Sequence, residues 1–148
     1  MSELKANADA PAVAMAPGMV PLTGGTLWLA ALVLAAANFM AVLDMTVANV
    51  SVPSIAGNLG ATTSQGTWVI TSYAVAEAIT VPLTGWLAAR FGAVRVFATA
   101  MGLFGLASML CGLANSLGML VFARILQGLA GGPLMPLSQS LLLRIFPP

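Results

Sequence analysis

Charge is nearly missing from this sequence: five Lys/Arg and four Asp/Glu among 148 residues come to 6%, where a soluble domain carries about 25%. A soluble fold of this size covers itself with a solvated polar surface, and so few charges cannot supply one. Histidine is absent and cysteine occurs once, at Cys111. One cysteine excludes a disulfide within the chain, and without histidine there is no Cys/His cluster to hold zinc. The same absence removes the commonest general base, so neither a Ser/His/Asp nor a Cys/His constellation can be assembled. No enzymatic chemistry and no cofactor are expected. A net charge of +1 offers neither a basic surface for nucleic acid nor an acidic tail.

What remains is apolar. Hydrophobic residues make up 59% of the chain and the mean hydropathy is +0.99, a composition that suits lipid as the surrounding solvent. Four stretches reach the roughly 20 residues a membrane-crossing helix needs: 27–48, 68–89, 94–114 and 119–142. Turn chemistry separates them, at 53–66 with Gly57, Asn58 and Gly60, at Phe91-Gly92-Ala93, and at Asn115-Ser116-Leu117-Gly118. The expected fold is all-α, a polytopic membrane protein of four helices over 26–148. Residues 1–25, interrupted by Pro11, Pro17 and Pro21, read as a flexible tail. Lys5 before the first helix, Arg90 and Arg95 around the second connection, and Arg144 after the fourth helix put both ends on the cytoplasmic side. Trp28, Trp68 and Trp86 fall near expected helix ends, as interfacial tryptophans do.

Three ionisable residues lie inside the spans: Asp44, Glu77 and Arg124. Each costs roughly 2.5–3.5 kcal/mol unpaired at mid-membrane, so each needs compensation. With helix 1 ending near Ala48 and helix 4 starting near Met119, Asp44 and Arg124 sit about one turn below the same surface, which predicts a direct or water-bridged pair. Such a pair either fixes packing statically or acts as a switch that protonation of Asp44 opens. Glu77 shares a side of helix 2 with Tyr73, Thr80 and Thr84. It reads either as a protonated packing residue or, preferably, as a cavity carboxylate for a cation or proton.

On helix 4, Gln127, Gly128, Gly131 and Ser138 share the face of Arg124, forming a small polar interface. Gly131-Gly132-Pro133 with Pro136 predicts a kink or local unwinding. Small residues of helix 3, Ala98, Gly102, Gly105, Ser108 and Gly112, permit close backbone approach. Cys111 reads as a packing residue.

Three segments carry a more specific signal. Leu43-Asp44-Met45-Thr46-Val47-Ala48-Asn49-Val50-Ser51-Val52-Pro53 lies on helix 1, Gly85-Trp86-Leu87-Ala88-Ala89-Arg90-Phe91-Gly92-Ala93-Val94-Arg95 spans the second connection, and Arg124-Ile125-Leu126-Gln127-Gly128 lies on helix 4. In this order they resemble the signatures of the major facilitator superfamily, and most closely its drug:proton antiporter branch of the QacA and EmrB type. The loop signature departs at Ala89, where that family usually carries Asp. The resemblance covers about residues 27–148.

The resemblance implies the N-terminal bundle of a major facilitator fold, and proton-coupled export of drugs or other small lipophilic or cationic compounds, with the proton gradient as energy source. Taken with the reading of the spans, this puts proton coupling on Asp44 and Arg124 and a substrate cavity around Glu77, Tyr73 and Gln127, with the cytoplasmic loop motif on Gly85, Arg90, Gly92 and Arg95. Packing or kinking falls to Gly128, Gly131, Gly132 and Pro133. Expected partners are the small-molecule substrate, protons, the lipid bilayer of the cell membrane and, for a full-length protein, a periplasmic adaptor. Alternating access needs two bundles about a midplane site, so four helices are expected to be an N-terminal fragment of a longer transporter. Two other classes stay open: a small four-helix protein working as a homo-oligomer, and a noncatalytic membrane segment associated with a larger transporter.

Overall fold

A computed structural model describes residues 24–145, so most of the expected tail lies outside the described residues. Five helical segments follow one another: α1 (Gly25–Asn58), α2 (Thr63–Phe91), α3 (Ala93–Gly112), α4 (Leu117–Gly131) and α5 (Leu134–Ile145). The last two are parts of a single 29-residue span, Leu117–Ile145, so the chain builds four rods and is an all-α, polytopic membrane protein. Three rods are long and apolar enough to cross a membrane by length and composition: α1, α3 and the α4–α5 span. The second rod, α2, is long enough at 29 residues but holds Glu77 and a series of threonines and serines. Large apolar side chains project outward from all four rods, among them Leu29, Val50, Leu83, Leu106 and Phe122, a surface suited to lipid or to further helices. Trp28, Trp68 and Trp86 are likewise exposed.

Two helix boundaries differ from the sequence expectation. Helix 1 does not end at Ala48 but continues through Pro53 to Asn58. A proline deletes one ladder hydrogen bond, and a membrane helix tolerates this where neighbouring packing holds its course. Val52 and Ala56 supply that packing, seated against Gly66 of α2, where an added Cβ would come within 3.1 and 3.0 Å of their side chains. The second difference is the start of α2 at Thr63 instead of Trp68. Thr62 caps it: its hydroxyl accepts from the Gln65 N–H at 3.3 Å while the Gln65 side chain accepts from the Thr62 N–H at 3.0 Å, a reciprocal capping box.

The turn between α2 and α3 is one residue long. Gly92 sits at φ 89°, a region that costs a residue with a Cβ about 1–3 kcal/mol, and its N–H closes α2 on the Ala88 carbonyl at 3.0 Å. In the fourth rod the helix is interrupted at Gly132 and Pro133. Pro133 has no N–H to give the ladder, while Gly132 keeps helical dihedrals and donates to the Gly128 carbonyl at 3.0 Å.

In lipid, apolar burial does not drive helices together, so close van der Waals packing and interhelical polar contacts must. The closest crossing is α2 with α4. A Cβ at Gly128 would run into the Tyr73 carbonyl oxygen and approach Ala76 Cβ to 2.9 Å, and one at Gly132 would approach Thr80 Cβ to 2.9 Å. The expected stripe on α3 behaves otherwise: Gly102, Gly105 and Gly112 have nothing within reach of an added Cβ. That helix instead buries Val96, Phe97, Ala100, Phe104 and Ala107. Bulky Phe97 and Phe104 fill the space beside Leu34, Ala37 and Ala41 of α1 and Leu134, Leu137 and Leu141 of α5.

Candidate functional site

Arg124 is carried inward by α4 and its Nη1 donates to Asp44 Oδ2 of α1 at 2.7 Å. The two side chains keep only 10% and 16% of their surface exposed, so the pair works in a medium where attraction and desolvation are both large. The pairing expected from the sequence is present and puts the two residues at one depth, but Asp44 does not lie one turn from the end of its helix, because α1 continues about 15 Å beyond Ala48 at 1.5 Å per residue. The bond is single. Arg124 Nε is buried without a hydrogen-bond partner among the described residues, which forgoes the second bond a bidentate arginine–carboxylate fork would make.

Tyr73 lies beside this pair, and Gln127 is one turn further along α4 from Arg124. The guanidinium carbon of Arg124 lies 5.9 Å from the centre of the Tyr73 ring, within range of a cation–π attraction. Tyr73 is 2% exposed and Gln127 fully buried. Gln127 Oε1 accepts a weak bond from the Cys111 thiol at 3.4 Å, and its Nε2 has no partner among the described residues. Cys111 thus packs between α3 and α4, as expected, and adds a polar contact. Tyr73 and Gln127 were expected on the wall of a substrate cavity; in this arrangement they are packed between helices, and their contacts run to Arg124 and Cys111.

Glu77 is half-buried on α2 and makes no hydrogen bond or ion pair with a described residue. The threonines expected beside it turn away. Thr80 donates to the Ala76 carbonyl at 2.9 Å and Thr84 to the Thr80 carbonyl at 3.1 Å, each back-bonding onto its own helix. Both are buried, so the polar stripe of α2 divides into an inner row of hydroxyls and a carboxylate at its edge.

The loop-motif residues gather at the other end of the bundle. A groove of about 430 Å³ between α2, α3 and α4 has Arg95 on its wall with Leu87, Phe91 and Leu129. A second, of about 490 Å³, runs between α2 and α5 past Gly85, Ala89, Gly92 and Arg144. Arg90 is exposed in the last turn of α2, where a cation is favoured by the helix dipole. Neither groove reaches Glu77, Tyr73 or Gln127.

Sequence reasoning missed one polar contact. Asn38 of α1 donates through Nδ2 to Ser138 Oγ of α5 at 2.8 Å, and the Ser138 hydroxyl faces Asn38 Oδ1 at 3.1 Å and the Met135 carbonyl at 2.8 Å. The signal was available: an amide inside an apolar span needs a partner as a charge does.

Four helical rods, three of them apolar enough to cross a membrane, a charged pair buried between the first and fourth, and a broken fourth helix define a polytopic membrane protein with a polar interior of the kind transporters use. The chain belongs to the Major Facilitator Superfamily, whose family model matches residues 34–148. Among curated proteins it is 58% identical over 128 residues to the multidrug export protein EmrB of Haemophilus influenzae, 55% to the probable multidrug resistance protein EmrY of Escherichia coli, and 59% to the fatty acid resistance protein FarB of Neisseria gonorrhoeae. Each match covers 86% of this chain and 25% of the relative, so the chain spans about a quarter of the length of these relatives. No solved structure matches it.

Proposed function

We propose that this chain is the N-terminal part of a proton-coupled exporter of small lipophilic or cationic compounds, with Asp44 as the proton carrier. The observation that carries the reading is the single-bonded, nearly buried Asp44–Arg124 pair. A static lock would be expected to satisfy its buried donors, since an unsatisfied one costs about 1–3 kcal/mol. A pair held by one bond is easier to open. Proton uptake at Asp44 removes the charge that Arg124 is paired with, frees α1 from α4 and biases the bundle toward one access state; deprotonation restores the pair and the other state. The names of the relatives, multidrug export and resistance proteins, support the export direction and the substrate class.

Glu77, half-buried and unpaired among the described residues, is assigned to attract cationic substrate once the complete protein closes a cavity over it. The proton gradient supplies the energy and no cofactor is needed. The membrane is the bacterial cytoplasmic one, with the α2–α3 turn and both ends of the chain on the cytoplasmic side; Arg90, Arg95 and Arg144 near those helix ends support this orientation. For the longer protein a periplasmic adaptor is a further partner. The test is export by the intact protein in membrane vesicles. Asp44→Asn should abolish efflux driven by a proton gradient and leave substrate binding largely intact; undiminished efflux would refute the assignment.

A further inference from the structure

Asp44 presents its carboxylate to Arg124 from α1, whose buried contacts with the described helices are mostly small and apolar. The α1 rod is 34 residues long, yet only Leu34, Ala37, Ala41, Ala48, Val52 and Ala56 are buried, mostly small residues. Small apolar contacts in lipid fix the distance of a helix but resist its rotation weakly, because they carry no directional bond. Rotation matters at Asp44: successive residues are about 100° apart, so a modest turn of α1 would carry the carboxylate away from Nη1.

Two features bracket Asp44. Beyond it, Val52 and Ala56 sit against Gly66 of α2. Before it, Asn38 meets Ser138, whose side chain is fully buried and which is placed by its own bond to the Met135 carbonyl. Asn38–Ser138 is a directional contact between α1 and the segment after the helix break. Arg124 lies before the break and Ser138 after it, so α1 bonds both parts of the interrupted fourth rod, through Asp44 to α4 and through Asn38 to α5.

We propose that Asn38 is a positioning residue for Asp44: its bond to Ser138 sets the rotation of α1 that delivers the carboxylate to Arg124. The transport significance of this role rests on the reading that Asp44 carries the proton, but the geometry does not.

A double-mutant cycle separates positioning from simple stabilisation. In the intact protein purified in detergent, the melting temperatures of Asp44→Asn, Arg124→Leu and the double variant give the coupling between the pair, measured once with Asn38 present and once with Asn38→Ala. If Asn38 only adds stability, all four melting temperatures fall together and the coupling is unchanged, which overturns the proposal. If it positions Asp44, the coupling falls to about half or less of its original size, a loss of additivity that cycles resolve between linked sites. Should the Asn38→Ala series fail to accumulate, Ser138→Ala removes the same bond from α5 and must give the same loss. Asn38→Thr, which keeps a hydroxyl donor and acceptor, should recover part of the coupling; recovery by Asn38→Val, of the same shape without the hydroxyl, would contradict the directional bond. The cycle is read without transport, so an unchanged coupling leaves the proton assignment standing, and a failure of Asp44→Asn to stop export leaves the cycle result standing.

Discussion

Arg124 Nη1 and Asp44 Oδ2 meet at 2.7 Å across 80 residues of sequence, one bond between the first helix and the fourth. Their burial makes each residue more costly alone than together. Removing one member of a buried pair costs about 3–5 kcal/mol because the other charge is left uncompensated, while replacing both is often neutral. Arg124→Leu and Asp44→Asn should each lower the melting temperature of the intact protein, and the double variant should recover most of the loss. Additive losses would mean that the pair is not coupled.

The α2–α4 crossing leaves no room for a methyl group. Gly128→Ala would drive its Cβ into the Tyr73 carbonyl oxygen, and backbone cannot yield as a side-chain tip does. Overpacking of this kind costs about 1–3 kcal/mol, and here it also displaces the ring that lies over Arg124. A marked fall in thermal stability is expected, whereas Gly118→Ala, at an open position, should change little. Equal effects of the two substitutions would contradict the close crossing.

Much of this was legible in the sequence, for physical reasons. Three charges in apolar spans demanded partners, and two of them found each other. The fourth helix breaks at Gly132 and Pro133, where Pro133 has no N–H for the ladder. Other features were not legible. Pro53, Gly57 and Asn58 look like a turn, and only the seat of Val52 and Ala56 on Gly66 makes the helix run through them. The start of α2 was written in Thr62 and Gln65 but lay outside the apolar window that marked the span. The glycines of α3 and α4 have similar spacing, and composition alone does not say that Gly128 faces a backbone while Gly102 faces open space. The Asn38–Ser138 contact joins residues 100 apart, beyond any local pattern.

Gly92 turns the chain between α2 and α3 at φ 89°. Gly92→Val forces a β-branched side chain into that conformation, at a cost of about 1–3 kcal/mol. The expected outcome is faster proteolysis at this turn, with the span helices retained by circular dichroism. An unchanged cleavage rate would show that the turn adapts at no cost.

The capping box at the head of α2 makes a more local forecast. Thr62→Ala removes the acceptor for the Gln65 N–H and should cost about 1 kcal/mol. Hydrogen exchange should rise about fivefold in the first turn, Thr63 to Gly66, and stay unchanged around Tyr73. A change that spreads along the whole helix would mean that α2 depends on its cap more than on its packing against α4.

Proton carriage by Asp44 is tested most directly by counting protons. The intact protein, in weakly buffered detergent solution with a pH indicator, is mixed with a substrate that it binds. If Asp44 exchanges its proton against substrate, wild-type protein releases protons in proportion to the substrate bound, and Asp44→Asn binds the same substrate with no release. Equal proton release from the two proteins would place the carrier elsewhere.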